Sequence, residues 1–155
     1  MVESPPTGAS GSMLTRRQRI PRGIEEVFAF FADPANLEAI TPPWLHFRVL
    51  GASTDEVEEG TLIDYRLRLH GVPIRWRSRI RAWNPPFGFI DEQVRGPYRS
   101  WVHHHDFEPD GDGVWVGDRV EYRVPGGALV DRLFVRRDLR RIFDFRTDEL
   151  ARLLK

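Results

Sequence analysis

The amino-acid sequence predicts an α+β fold in which a curved antiparallel sheet wraps around one long C-terminal helix. Apolar and polar residues alternate with a period of two through consecutive runs between residues 46 and 124. Two short helical patterns precede these runs, and after Pro125-Gly126-Gly127 the period is helical to the end of the chain. A sheet with one apolar face and an amphipathic helix bury those faces against each other, which sets the architecture.

Composition limits the class of protein. The chain has 155 residues, of which 41% are hydrophobic, as expected for one globular domain. Its formal net charge is zero, which argues against a general electrostatic attraction to nucleic acid or to an acidic membrane surface. The chain contains no cysteine, so disulfides and thiolate sites are excluded.

The ends of the domain and its location follow from similar arguments. Residues 1–13 are poor in apolar side chains, so they are expected to form a disordered tail before a single domain over 14–155. No apolar run is long enough to insert into a membrane, and no segment resembles a signal peptide. We therefore expect a cytoplasmic protein.

The first part of the domain is predicted to contain one strand and two short helices. The strand covers 14–20, and apolar residues at helical spacing from Ile24 to Phe31 predict the first helix. Asp33-Pro34 is typical of the start of a second helix, which is expected to end near Ile40.

Six strands are predicted to follow, joined by short turns. They cover 46–50, 62–70, 74–82, the two arms of a hairpin at 89–107, and 114–124. Such a series indicates an antiparallel meander with one solvated face. Four arginines alternate along the third strand and suggest a basic stripe: Arg75, Arg77, Arg79 and Arg81. The next strand brings Glu92 about opposite Arg77, so we interpret the stripe as a solvated outer face rather than a nucleic-acid surface.

The hairpin at 89–107 combines aromatic and ionisable side chains on one face. Its turn is centred on Gly96-Pro97. Alternation places Phe89, Asp91 and Gln93 on one face of the first arm, with Trp101, His103, His105 and Phe107 on the same face of the second. Asp91 is then opposite His103, and Gln93 is opposite Trp101. His104 and Asp106 are expected to face solvent, and the mixed inner face is typical of a pocket wall.

The C-terminal helix is predicted to be long enough to cross the whole sheet. Its apolar stripe includes Leu133, Leu139, Ile142, Phe143, Leu150 and Leu153. About 26 residues at 1.5 Å each would span roughly 39 Å. If the sheet curves around this helix, a cavity can remain between them.

The order of elements resembles the helix-grip fold of the START and Bet v 1-like superfamily, also called SRPBCC. The hairpin is similar to a signature of one bacterial branch, Asp91-x-Gln93-x-x-Gly96-Pro97-Tyr98-x-x-Trp101-x-His103-x-His105-x-Phe107. Later members of the same pattern are Asp118, Tyr122, Pro125, Phe143 and Arg146. The resemblance covers about Leu14 to Leu154.

This resemblance implies an apolar cavity under the long helix that holds a hydrophobic or amphipathic small molecule. The branch is often described only as cyclase/dehydrase-like or ligand-binding. The superfamily also includes aromatase/cyclases of polyketide synthesis, whose chemistry does not transfer to this chain residue by residue. Together, pattern and resemblance predict as ligand-binding residues Tyr65, Trp76, Phe89, Asp91, Gln93, Trp101, His103, His105, Asp118, Tyr122, Phe143 and Arg146.

A polar cluster of Asp91, His103, His105 and Asp118 is expected within the cavity, because the turns bring Asp118 near the two histidines. Buried carboxylates and imidazoles are costly unless they are paired. Three interpretations stay open: a structural network, a set of groups that orients a ligand, and a metal site of the His-x-His-plus-carboxylate kind. We expect no bound metal, because a structural zinc site takes four protein ligands and only the two histidines are strong candidates.

Arg146 is the other unusual residue, because it shares the buried side of the helix with Phe143 and Leu150. Its guanidinium can end in the cavity beside Asp91, meet an anionic ligand group, or extend to solvent at the rim. No serine or cysteine nucleophile is paired with the cluster, so covalent catalysis is not supported, and no cofactor is implied.

Three classes of function stay open. The first, a binder or carrier of a hydrophobic small molecule, needs only the cavity and is our main interpretation. The second is a cyclase, dehydratase or isomerase in which Asp91 and His103 act as acid and base. The third is a protein-interaction module, and a homodimer is compatible with any of the three.

Overall fold

The computed structural model describes residues 2–3 and 11–155 and confirms the predicted α+β helix-grip architecture. One curved antiparallel sheet has the strand order β1-β2-β8-β7-β6-β5-β4-β3. The strands are β1 Val2–Glu3, β2 Ser12–Ile20, β3 Arg48–Ala52, β4 Leu62–Leu69, β5 Val72–Asn84, β6 Gly88–Arg95, β7 Ser100–Asp110 and β8 Gly113–Arg123.

The helices lie on the inner side of this sheet. They are α1 Ile24–Ala32, α2 Asn36–Ala39, a 3-10 turn at Pro43–Leu45, and the C-terminal helix, which comprises α3 Gly127–Val130, a π-helical segment Asp131–Val135 and α4 Arg136–Leu153. The second short helix begins later than predicted. The Asp33 carboxylate accepts the Ala35 N–H at 3.0 Å in a turn that precedes α2, so the proline there belongs to the turn.

The predicted tail at 1–13 lies largely outside the described residues. Within it, Val2 and Glu3 pair with Leu14 and Met13, and β2 begins at Ser12. Among the residues that the structure describes, no helix combines the length and the apolar character that a membrane span requires.

A band of polar residues divides the core into two apolar clusters. On β8, Val116 belongs to one cluster and Val120 to the other, and the buried Asp118 lies between them. The same order recurs on β7, where the two buried histidines separate Phe107 from Trp101, and on α4, where Arg146 separates Leu150 from Phe143. We call Asp91, His103, His105, Asp118 and Arg146 the polar belt.

The hairpin of β6 and β7 presents the predicted faces. Asp91 pairs with His103 in the register of the two strands. His103, His105 and Phe107 are buried, whereas Asp106 is exposed. His104 lies on the outer face, where Arg119 donates a hydrogen bond to its Nδ1 at 3.2 Å.

The C-terminal helix is fixed to the sheet through its π-helical segment. Asp131 is buried there and accepts hydrogen bonds from the Tyr122 hydroxyl at 2.8 Å and the Ser12 hydroxyl at 2.6 Å. Arg136 donates to the same carboxylate at 3.2 Å. One carboxylate therefore joins the helix to β2 and β8.

We predict that Gly88→Ala destabilises the hairpin of β6 and β7. A Cβ at position 88 would collide with the backbone carbonyl oxygen of His105 on the neighbouring strand. The strands would have to separate locally, which should lower the free energy of unfolding by about 1–3 kcal/mol. Urea denaturation measures this change. Gly51→Ala is the control, because a Cβ there meets nothing within 4 Å, and an equal effect of both substitutions would contradict the prediction.

Candidate functional site

The polar belt consists of two histidine–aspartate pairs that lie side by side. His103 Nε2 donates to Asp118 Oδ1 at 2.8 Å, and His105 Nε2 donates to Asp91 Oδ2 at 2.6 Å. The two imidazole rings are stacked with their centroids 3.7 Å apart. Asp91 is opposite His103 in the register, as predicted, but its hydrogen bond goes to the other histidine, and His103 Nδ1 is 3.9 Å from it.

Arg146 completes the belt from the helix. Its Nη2 donates to Asp118 Oδ1 at 3.1 Å, and the side chain is almost fully buried. The guanidinium lies over the ring of Phe31, with the guanidinium carbon 5.3 Å from the ring centroid. Of the three positions that the sequence allowed for this arginine, the structure shows the one inside the core, with Asp118 rather than Asp91 as its partner.

The surroundings of these groups set their charges. Burial alone would raise the pKa of Asp118, but Arg146 and the hydrogen bond from His103 hold it well below its usual range. The pKa of Asp91 is also lowered, because the bond from His105 and the nearby positive groups outweigh burial. Burial lowers the pKa of His105 to about 4, with a further contribution from His103, so this imidazole is neutral at neutral pH.

Two buried polar atoms of the belt have no hydrogen-bond partner among the described residues. They are Nδ1 of His105 and Nε of Arg146. Since His105 is neutral and donates through Nε2, its Nδ1 carries a free lone pair. Unpaired buried polar atoms are uncommon in folded proteins, and they mark places where a ligand or water can complete the hydrogen bonding.

A cavity of about 190 Å³ lies between the belt and the helix. Of the predicted residues it is lined by Tyr65, Trp76, Asp91, Trp101, His103, His105, Phe143 and Arg146. The indole rings of Trp76 and Trp101 meet edge to face at 5.4 Å between centroids and form an aromatic end of the cavity. The belt forms the polar end.

The other four predicted residues lie beside this wall. Asp118 is behind His103 and Arg146, and Phe89 stacks on the far side of His105 with 4.0 Å between ring centroids. Gln93 holds the hairpin turn, since its amide donates to Tyr98 O at 2.8 Å and accepts the Tyr98 N–H at 3.1 Å. The hydroxyl of Tyr122 is directed to Asp131.

Sequence reasoning did not place several residues on the cavity wall. Tyr98 belongs to the hairpin turn, yet its ring packs 4.8 Å from that of Trp101. Ser78 accepts the Trp76 indole N–H at 3.0 Å and thereby orients that ring. The segment from Leu37 to Phe47 covers the cavity from the side. The apolar residues of this segment were the only available signal, and they do not by themselves indicate where the segment packs.

Three members of the belt are close enough to share a metal ion. Ligand atoms of Asp91, His103 and His105 lie within 4.8 Å of one another. A metal at this position would have to break the hydrogen bond between His105 and Asp91 and would lie near the guanidinium charge of Arg146. Since both histidines and both carboxylates already form complementary pairs, a polar network explains the arrangement without an ion.

Comparisons with known proteins agree with this architecture. The family model described as "Polyketide cyclase / dehydrase and lipid transport" matches residues 13–155. No curated protein sequence is significantly similar to this chain.

Solved structures with the same fold come from several sources. The di-domain ARO/CYC StfQ from the steffimycin biosynthetic pathway superposes with a TM-score of 0.73 at 14% identity, over 92% of this chain and 50% of that chain. Protein CV1439 from Chromobacterium violaceum gives 0.73 at 13% identity, over 92% and 96%. Ginseng major latex-like protein 151 from Panax ginseng gives 0.70 at 14% identity, over 95% and 99%.

We predict that Asp118→Asn strongly destabilises the protein. The amide would keep the shape of the carboxylate but leave the Arg146 guanidinium buried without a counter-charge. Loss of one partner of a buried ion pair costs about 3–5 kcal/mol in the free energy of unfolding. Denaturant titration measures it.

The control for this prediction is Asp64→Asn. It removes the same charge from the exposed ion pair with Arg77, whose shortest distance is 2.8 Å. This variant should unfold as the wild type does, because exposed pairs contribute little. If the two variants had similar denaturation midpoints, Asp118 would not be needed to stabilise the buried charge of Arg146, and the prediction would be wrong.

Proposed function

Because the chain belongs to the polyketide cyclase/dehydrase and lipid transport family, we propose that it binds or carries a hydrophobic or amphipathic small molecule in the cavity between the sheet and the C-terminal helix. Membership confirms the superfamily resemblance drawn from the sequence. The finer assignment to the branch with the hairpin signature stays a prediction.

The observation that carries the proposal is the division of the cavity into an aromatic end and a polar end. Trp76, Trp101 and Tyr98 offer apolar ring surface, and the belt offers the Asp91 carboxylate. Ligand sites are typically apolar clefts with a few convergent polar groups of this kind. A ligand with one neutral hydroxyl group on an apolar frame fits this arrangement, because the hydroxyl can donate to the carboxylate.

The size of the cavity adds a constraint on the ligand. The cavity, at about 190 Å³, is smaller than the roughly 300–1,000 Å³ of most small-molecule sites. A ligand of ordinary size therefore extends beyond the cavity, and Thr41 and Phe47 line the side that adjoins further open space.

An acid/base enzyme is the second candidate, and one specific observation favours it. Asp91 is ionised, lies on the cavity wall and is hydrogen-bonded to His105, so a bound substrate can meet a carboxylate base. His103 is on the same wall. We rank this function second because it needs a reactive substrate in addition to the cavity.

We predict that Ile142→Trp blocks the binding of a neutral apolar dye. Ile142 lines the cavity from α4, so an indole at this position would fill the enclosed space. Fluorescence titration with N-phenyl-1-naphthylamine should show saturable binding to the wild type and at least about tenfold weaker binding to the variant, a difference of about 1.4 kcal/mol. Leu153→Trp, on the exposed end of the same helix, should bind as the wild type does. Undiminished binding by Ile142→Trp would place the dye elsewhere and contradict the proposal.

A further prediction separates a carrier from an enzyme. Native mass spectrometry of the purified protein identifies a compound that co-purifies, and this compound is then incubated with the wild type. For a carrier, we expect no product from the wild type, from Asp91→Asn or from His103→Gln. The matched controls Asp106→Asn and His104→Gln lie on the outer side of the same strand. The result that would establish an enzyme instead is conversion of the compound by the wild type and by both controls, together with a rate that falls by about 10²-fold or more in His103→Gln.

A further inference from the structure

An open groove runs along the edge of the sheet beside the cavity. The pairing of β3 with β4 starts at Arg48 and Arg66, and β4 continues beyond that point to Leu69. The groove of about 1180 Å³ lies along this edge, with Phe145 of α4 on its other side. Thr41, Phe47 and Leu67 line both the groove and the cavity, so the two spaces adjoin at these residues.

Four arginines line this groove: Arg48, Arg66, Arg68 and Arg75. Three of them form a row across neighbouring strands, because Arg66 pairs with Arg48 on one side and with Arg75 on the other. Side chains directly opposite each other in a sheet are about 5 Å apart at Cβ, and like charges in such positions are destabilising. A local cost of this kind indicates that the row has a function.

Few carboxylates balance these charges. Among the described lining residues, Glu38 is the one carboxylate, and its oxygens accept the Val49 N–H at 2.9 Å and Arg48 Nη1 at 3.4 Å. No hydrogen bond or ion pair joins Arg66, Arg68 or Arg75 to another residue in the described part of the chain.

The next arginines along β5 behave differently. Arg77 pairs with Asp64, and Arg79 pairs with Glu92. A β-bulge between Arg77 and Ser78 shifts the register, so Glu92 lies opposite Arg79 rather than opposite Arg77 as the sequence suggested. Arg66, Arg68 and Arg75 thus lack the ion pairs that Arg77 and Arg79 form on the same face.

We propose that the groove arginines bind a carboxylate or phosphate group of an amphipathic ligand whose apolar part occupies the cavity. This inference rests on the proposed function and adds the chemical class and orientation of the ligand. At the inner end, the Asp91 carboxylate lines the cavity and the one guanidinium of the belt is bound to Asp118, so an anionic group is disfavoured there. At the mouth, guanidinium groups match the geometry of carboxylate and phosphate oxygens. The ligand therefore enters with its neutral end inward and its charge at the groove.

The strand order gives the length that such a ligand spans. β4 and β7 are three strand positions apart, which is about 14 Å along the sheet. Arg66 and Arg68 alternate along β4 with Tyr65 and Leu67, which line the cavity, so a ligand that reaches these arginines passes around the free edge of β4. Dodecyl compounds are suitable probes.

The test uses two fluorescent dyes that differ only by a sulfonate: 1-anilinonaphthalene-8-sulfonate and neutral N-phenyl-1-naphthylamine. The double variant Arg66→Gln/Arg75→Gln should bind the sulfonate about five- to tenfold more weakly than the wild type, as expected for the loss of two partly exposed charge contacts. Its affinity for the neutral dye should change by less than about twofold. The control Arg81→Gln/Arg95→Gln removes the same charge from outer-face positions that do not line the groove. It should bind both dyes as the wild type does.

The outcomes separate this inference from the proposed function. If the neutral dye binds and Ile142→Trp blocks it, but the two double variants bind the sulfonate alike, the cavity function stands and the groove inference is wrong. If the neutral dye does not bind the cavity at all, the proposed function fails and the inference fails with it.

Two sources of the anionic group are distinguished by competition. Dodecanoate and dodecyl phosphate should displace the sulfonate dye from the wild type, and each should lose about fivefold or more in Arg66→Gln/Arg75→Gln. Dodecanol should displace the neutral dye equally from both proteins. The inference would be overturned if the soluble anions did not displace the dye and the protein instead co-sedimented with phosphatidylglycerol vesicles in a way that depends on these arginines. That result would assign the arginines to a lipid surface.

Discussion

The structure depends on one constraint, which is that the ionised carboxylates in its core must be matched. Asp91 and Asp118 lie where burial alone would neutralise them, and they stay charged because two imidazoles and one guanidinium surround them. The two carboxylates come from β6 and β8, and the groups that surround them come from β7 and α4. A shift of any of these elements by one residue would turn a belt side chain away from its partner, so the belt fixes strand register and helix position together.

The same constraint creates the site. Residues on either side of the belt are apolar and fill the core, but the belt groups must keep the geometry of their hydrogen bonds and cannot collapse onto the helix. Space remains beside His103 and Asp91, under Ile142 and Phe143. Nδ1 of His105 has no hydrogen-bond partner among the described residues, so the network is incomplete in hydrogen bonding. Because the belt holds two ionised carboxylates and one guanidinium, it suits a neutral polar group better than an anion.

The sequence predicted the elements and the face of each strand, because alternation and helical periodicity are local properties. It placed Asp91, His103, His105 and Asp118 together for that reason. It did not predict which histidine bonds which carboxylate, because stacked rings allow a side chain to reach the diagonal neighbour as easily as the direct one. The row of Arg48, Arg66 and Arg75 was also missed, because it depends on the pairing of an edge strand that begins two residues later than predicted.

The anchors of the C-terminal helix indicate how a ligand reaches the cavity. The helix is fixed by Asp131 to Tyr122 and Ser12 near its start, and by Arg146 to Asp118 further along. The segment that covers the cavity, with Leu139 and Phe143, lies between these two points. Lifting the helix would break several buried bonds to charged groups, each worth about 1.5–3 kcal/mol. The groove at the edge of β4 adjoins the cavity at Thr41, Phe47 and Leu67, and a ligand that enters from this side leaves all of these bonds intact, so we expect entry along the groove rather than displacement of the helix.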